Sequence, residues 1–420
     1  MKWIDFEKNW LKSVDKEEDM IEIKEKTKCC GCTACYNICP KGAIRMGADE
    51  EGFLYPRVNK EKCIECGLCN RACPIETKPK VTEKVQEAFV MRSKDSGVLM
   101  NSTSGGFMTP LIDYVLNSGG IVCAASYDDE FKVVHTILEK KDEAAIKKIR
   151  GSKYVQSDLG DVFSKIKDYL KANQMVCFVG TTCQVNGLKA YLQKDYEQLI
   201  TVDLVCHGSP SPKLWKKYLE YQKEKYHSDI KEIVFRNKTY GYHSGTMKIC
   251  FFNGKIYFGS ARVDYMLKSF FKEIASRPIC YQCPFKTLER CSDFTIYDCW
   301  HAANLVSDLK DDDRGYTNVM VQSNKGHVIL EEIKDAYEIY QVDNNKAIEL
   351  DGSMVLKSAV PHAHRKEYYT DLESNDLRTH IKKYIPVTLK DQMIEKMKIY
   401  VYRCGLYEKA MKIKNMSKRN

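Results

Sequence analysis

The chain has 420 residues, 44% of them hydrophobic and 29% charged, which is enough for a small module and a larger domain with its own core. Its formal charge of +9 is localised, because residues 378–420 hold twelve Lys/Arg against three Asp/Glu and the other 377 residues balance to zero. With no recognition-fold signature, that distribution excludes a nucleic-acid binder. No run approaches the ~20 apolar residues of a membrane span, and the first 26 residues carry six basic and eight acidic side chains, unlike an export signal. Nineteen cysteines in such a chain point to a reducing cytoplasm, an anaerobe, and thiols that ligate metal rather than form disulfides.

Trp3, Phe6, Trp10 and Val14 recur at helical spacing and predict an amphipathic helix within residues 1–26. Two identical runs follow, Cys29, Cys32, Cys35, Cys39 before Pro40 and Cys63, Cys66, Cys69, Cys73 before Pro74. Each reads C-x2-C-x2-C-x3-C-P, the pattern of a ferredoxin with two [4Fe–4S] clusters. Three thiolates in a tight loop wrap one side of a cubane, and the fourth cysteine of each run ligates the other cluster. One cluster is therefore expected on Cys29, Cys32, Cys35 and Cys73, the other on Cys63, Cys66, Cys69 and Cys39. Cys30 falls outside both registers and reads as a spare thiol. The α+β ferredoxin-type module is expected over residues 27–80, with Thr77–Lys80 as the linker out of it.

From residue 81 short β-branched strands, Ile121–Tyr127, Met175–Val179 and Leu199–Val205, alternate with amphipathic helices such as Thr109–Leu116, Asp161–Ala172, Gln184–Leu192 and Pro212–Tyr226. The alternation predicts a larger α/β domain with a partly parallel sheet, over residues 81–345. Ligands of such domains gather at the carboxyl ends of strands. Three loops qualify: Asn101–Met108, whose paired glycines suit a phosphate at a helix start; Gly180–Gln184; and Cys206–Ser209. Cys280 and Cys283 form a further C-x2-C pair. They fit either a zinc knuckle with Cys291 and Cys299 or a third cluster with Cys183 and Cys206.

Residues 346–420 are expected to form a helical basic extension. Leu389, Met393, Met397, Tyr400, Cys404, Tyr407 and Met411 recur at spacings of three and four among lysines. That stretch is expected to pack back on its own domain, with an acidic partner, a larger redox complex or an anionic membrane surface as the alternative.

Seven segments in order, Ser104–Gly106, Gly151–Ser157, Gly180–Gln184, Cys206–Gly208, Phe235–Lys238, Arg277–Cys283 and Ser292–Ile296, resemble the family of coenzyme F420 hydrogenase and dehydrogenase beta subunits. The resemblance implies a flavin-binding domain holding FAD and a further [4Fe–4S] cluster, with F420 as substrate in members that use one. Carried onto this chain, it assigns the third cluster to Cys183, Cys206, Cys280 and Cys283. The FAD phosphates fall to Ser104, Gly105, Gly106 and Thr109, and the flavin or its linker to Lys153 and Tyr154. Lys153 is expected to face the flavin N1 edge, and His207 to be a proton donor beside it. The chain departs from the family at Thr182, where proline is common, and at Tyr297–His301, where the flanking residues are usually glycines. The expected function is electron transfer between ferredoxin, or another redox protein, and a two-electron acceptor through [4Fe–4S] clusters and FAD. The alternatives are a subunit with no substrate of its own and a reductase of polysaccharide or pigment metabolism.

Overall fold

The computed structural model describes residues 20–81 and 86–406. The amphipathic helix expected near the N-terminus, and Tyr407 and Met411 of the C-terminal stretch, lie outside the described residues.

The cysteine-rich segment folds around a hairpin of β1 (Ile44–Ala48) and β2 (Leu54–Val58), paired antiparallel with Ile44 opposite Val58. Each cysteine loop turns into a short helix, Ala34–Ile38 or Leu68–Arg71. Both helices are entered through a left-handed residue, Thr33 or Gly67, which bends the backbone back around the preceding thiols.

The larger part is built on an eight-stranded mixed sheet. Its strands are β3 (Glu87–Ser93), β4 (Ile121–Tyr127), β5 (Val133–Leu138), β6 (Val176–Thr181), β7 (Leu199–Leu204), β11 (Phe294–Cys299), β12 (Tyr316–Val321) and β13 (Tyr337–Val342). They lie in the order β13-β3-β12-β11-β7-β6-β4-β5, and the four strands β11, β7, β6 and β4 run parallel. The parallel strands are covered on both faces, which is why they read as apolar runs. Along β6, Cys177 and Val179 enter one core with Leu111, Val115 and Ile329. Val176 and Phe178 enter the opposite core with Phe163, Ile166 and Leu188.

A three-stranded antiparallel sheet was not legible in the sequence. It consists of β8 (Ile230–Asn237), β9 (Thr246–Phe251) and β10 (Ile256–Ser260), in the order β10-β9-β8, and packs on the helix Pro212–Tyr226. Trp215, Tyr218, Phe235 and Ile249 share that core with Tyr368, Leu377 and Ile381 from the helices Arg365–Thr370 and Leu377–Tyr384.

The cysteine-rich module has a small cluster of its own around Ile21 and Ile44 and shares both neighbouring cores. Phe53 and Tyr55 enter the core around Trp215. Cys32, Ala34 and Ala72 enter the one around Phe163. Gly187, in the helix Thr182–Leu192, makes the second contact possible, since a Cβ there would stand 2.6 Å from the Cys32 Cβ.

Candidate functional site

The eight cysteines of the two runs gather in the crossed arrangement. Burial raises the pKa of the Cys35 thiol, and the charges of Cys29 and Cys73 raise it further. Cys32 is likewise raised by burial and by Cys35 and Cys73. Cys39, Cys63, Cys66 and Cys69 instead line a separate small cavity of about 20 Å³ under Ile44 and Val58. Two backbone amides point at sulfur, Ile21 N to Cys69 Sγ at 3.2 Å and Ala43 N to Cys39 Sγ at 3.3 Å. Four thiols crowded together become thiolates together only around a positively charged core, so both sets suit an iron–sulfur cubane. Cys66 is exposed, whereas Cys29, Cys32, Cys35 and Cys73 are buried.

A second convergence forms where β6 and β7 end. A cleft enclosing about 150 Å³ is lined by Cys183, Cys206, Cys280 and Cys283, and also by Cys30, Lys153, His135, His207 and Lys286. Cys183 lies in the first turn of the helix Thr182–Leu192, and Cys206 follows β7. Cys280 and Cys283 come from the short turn of helix at Pro278–Gln282. Burial drives the Cys280 thiol up, and Cys206, Cys183 and Cys283 add to the effect. Lys286 donates to the Cys206 and Met354 carbonyls and sets a cation beside these thiols. The four ring a space instead of converging on one point, and among the described residues no three His, Cys, Asp or Glu could hold a single metal ion. Cys291 and Cys299, the other half of the zinc-knuckle reading, lie elsewhere: Cys291 beside the core around Phe163, Cys299 with Val90 and Tyr316.

Cys30 connects the two regions. Its thiol neighbours those of both Cys32 and Cys183 and interacts electrostatically with them. The residue read as a spare thiol therefore spans the cysteines of the first run and those of the cleft.

Lys153 and His207 both line the cleft. Burial pushes the Lys153 ammonium down to about 7. It donates to the Ile149 and Gly151 carbonyls at 3.3 Å and lies over the Tyr127 ring. His207 is paired through Nε2 with Glu273 and packed on Phe270. Sequence reasoning missed His135, whose Nε2 donates to the Val179 carbonyl at 3.1 Å while its buried Nδ1 has no partner. Burial pulls it down to about 4, so at neutral pH it is uncharged and Nδ1 is an acceptor.

The other expected residues are used differently. The Gly105 amide donates to Thr317 Oγ1 at 2.8 Å, and Ser104 Oγ meets the same oxygen. A Cβ on Gly105 would stand 2.2 Å from the Met91 carbonyl, so this glycine serves close packing on the sheet instead of offering its N–H to a phosphate. Lys238 clamps the loop from below by donating to the Leu99 and Ser104 carbonyls. Thr109 accepts from Arg150 Nε at 3.2 Å at the start of the helix Met108–Asn117. Tyr154 stacks on Phe270 at 4.5 Å and accepts from Arg236.

The family models agree with this layout. The model for the coenzyme F420 hydrogenase/dehydrogenase beta subunit matches with its N-terminal part over residues 88–164 and with its C-terminal part over residues 173–346. The chain belongs to this family. A 4Fe-4S dicluster domain matches residues 28–77, so an iron–sulfur module precedes the beta-subunit region. The coenzyme F420-dependent sulfite reductase of Methanocaldococcus jannaschii is 27% identical over 337 residues, 78% of this chain and 49% of that protein. One of the subunits of the F(420)H(2) dehydrogenase of Methanosarcina mazei is 23% identical over 200 residues, 45% of this chain and 56% of that protein. The chain thus spans about half the length of the curated relatives it matches. A chain of the F420-reducing [NiFe] hydrogenase complex from Methanosarcina barkeri aligns at a TM-score of 0.41 and 17% identity, over 70% of this chain and 94% of that one.

Two departures from the family pattern have local causes. Thr182 accepts from Arg290, which is fully buried and ion-paired with Asp203 at 2.8 Å. A proline there would leave that guanidinium one acceptor short. Tyr297 packs with Ile348 and Val355, and His301 bonds Asp351 at 2.7 Å. The altered loop thus faces the helix Asn344–Asp351, and neither residue lines the cleft.

Proposed function

We propose that the chain is an iron–sulfur flavoprotein oxidoreductase that passes electrons between a ferredoxin-like partner and a two-electron acceptor, coenzyme F420 or another organic molecule. The observation that carries this reading is the succession of thiols. It runs from exposed Cys66 and its neighbours, through the buried set with Cys29, across Cys30, to the four cysteines of the cleft. Two [4Fe–4S] clusters in the module, a third on Cys183, Cys206, Cys280 and Cys283, and FAD in the cleft would supply one- and two-electron chemistry.

Lys153 presents its ammonium to a bound ring, and near neutrality it gains or loses its proton with little bias. His135 offers an uncharged acceptor. His207 is held by Glu273 at the cleft wall. The cofactor's phosphates would run toward Gly106 and Thr109, with Arg150 alongside. Apolar walls from Val133, Val155 and Val179 exclude water around these groups.

Anaerobic purification with iron, zinc and flavin analysis tests the cofactor set: the expectation is about twelve irons and one FAD per chain. About eight irons with one zinc would overturn the third cluster. Stopped-flow reoxidation of the reduced protein by F420, nicotinamides and other organic acceptors tests the substrate. Rapid reoxidation by none of them favours a second reading, an electron-transfer subunit of a larger complex. That reading is supported by the length of the matched relatives, about twice the matched region.

A further inference from the structure

The helix Leu389–Arg403 docks on its domain with the face opposite to the one its sequence pattern suggests. Thr388 and Asp391 form a capping box at its start. Glu395 is buried and accepts from Ser260 N at 3.1 Å and from Ser260 Oγ at 2.6 Å. Asp391 meets Lys268 at 3.3 Å, and Lys398 reaches Thr246 and Glu395. Tyr402 stands edge-on to Tyr240. Positions 391, 395, 398 and 402 share one face of a helix, and 389, 393, 397 and 400 lie on the other. On that outer face Leu389 is 79% exposed, Met393 64%, Met397 62% and Tyr400 68%. The expected packing of this apolar stripe on its own domain is thereby corrected: ion pairs hold the helix, and the stripe points away.

Both carboxylates of the helix are spent on the domain, so the exposed charges flanking the stripe, Lys390, Lys396 and Arg403, are all positive. The sequence continues over residues 407–420 with five Lys/Arg and one Glu. A stripe on a 15-residue helix is about 22 Å long and offers on the order of 200 Å², well short of the ~800 Å² per partner of a stable dimer. The row of long side chains stands on a convex helix, which suits a surface that yields around it more than a preformed protein groove.

We propose that the outer face of this helix rests on an anionic lipid surface, with Leu389, Met393, Met397 and Tyr400 in the headgroup boundary and Lys390, Lys396 and Arg403 on the headgroups. This is the arrangement of an interfacial amphipathic helix, with apolar burial and cationic attraction acting together. No helix of the described residues is long and apolar enough to cross a membrane, so the contact is peripheral. It does not depend on which acceptor the cleft serves.

The test is cosedimentation of the full-length protein with vesicles of mixed phosphatidylglycerol and phosphatidylcholine, against pure phosphatidylcholine, at low and high salt. The wild type should partition onto the anionic vesicles and lose affinity with salt. The double variant Met393→Asp/Met397→Asp should lose at least about tenfold in partitioning, with unchanged cluster absorbance and thermal unfolding. The triple variant Lys390→Ala/Lys396→Ala/Arg403→Ala should lose a similar factor and its salt dependence. Wild type that stays in the supernatant, or a Met393→Asp/Met397→Asp variant that partitions equally, overturns the proposal. So does a wild-type dimer, measured by light scattering, that the same variant converts to a monomer, because a second copy would then cover the stripe.

Discussion

Arg277 Nε donates to the backbone carbonyl of Cys29 at 2.7 Å, across 248 residues of sequence. The same guanidinium reaches the Leu54 carbonyl at 3.0 Å and Gln156 Oε1 at 3.2 Å, and it lies over the Tyr55 ring at 4.0 Å. Arg277 starts the segment that carries Cys280 and Cys283, so one buried side chain sets the first cysteine loop against the cleft cysteines.

Arg277→Lys should therefore do more harm than a conservative exchange. A point charge cannot serve three acceptors in a plane, and each hydrogen bond from a charged donor contributes about 1.5–3 kcal/mol. The expected outcome is a stability loss of about 3 kcal/mol in denaturant unfolding. Faster proteolysis between the module and the sheet should accompany it. An unchanged unfolding midpoint would remove Arg277 from this role.

Gly187→Val should displace the Cys32 loop, because its Cβ would stand 2.6 Å from the Cys32 Cβ and 2.9 Å from Sγ. Overpacking of this kind costs about 1–3 kcal/mol. Spin quantitation by EPR should show the signal of one cluster reduced and that of the cluster beside Cys66 retained. Equal loss of all signals would mean that the damage is global.

Cys183→Ala and Cys30→Ala should separate ligand from bridge. The first is expected to lower iron by about four atoms per chain, one cubane. The second should leave iron unchanged while slowing the appearance of reduced flavin after rapid mixing with reductant. Iron loss in Cys30→Ala would make Cys30 a ligand.

Lys153 links stability to pH. Its folded pKa is pushed down to about 7 from 10.5, so between these values the unfolded chain binds more protons than the folded one. Stability should rise with pH across that window, and the burial penalty should be fully present below about 7. Denaturant unfolding of wild type and Lys153→Met at several pH values checks this. The variant should lack the rise, and parallel curves for the two proteins would refute the assignment.

The cysteine spacing made the ferredoxin-type module legible because ligand geometry is local: three thiols in one short loop and a proline after the fourth. The apolar runs of β4, β6 and β7 were legible for a related reason, since strands covered on both faces have no polar side to show. Cys30, His135 and Arg277 were not. Nothing in their neighbourhoods along the chain distinguishes a bridging thiol, a neutral acceptor or a three-way clamp from ordinary residues. Gly105 was misjudged, because a glycine that admits a ligand and one that admits a neighbouring strand look the same in sequence.

The sequence by itself determined the two identical cysteine runs of an iron–sulfur module, from which two interlocked ligand sets were expected, the alternating α/β pattern, and four further cysteines read as either a third cluster or part of a zinc site. Only the tertiary structure decided which thiols share a space, that Cys30 spans two of those spaces, and which face of the helix Leu389–Arg403 turns outward. Periodicity reports that a helix has two unlike faces. Which one is buried depends on the partners that the fold brings to it, and here Ser260 and Lys268 bind the polar face.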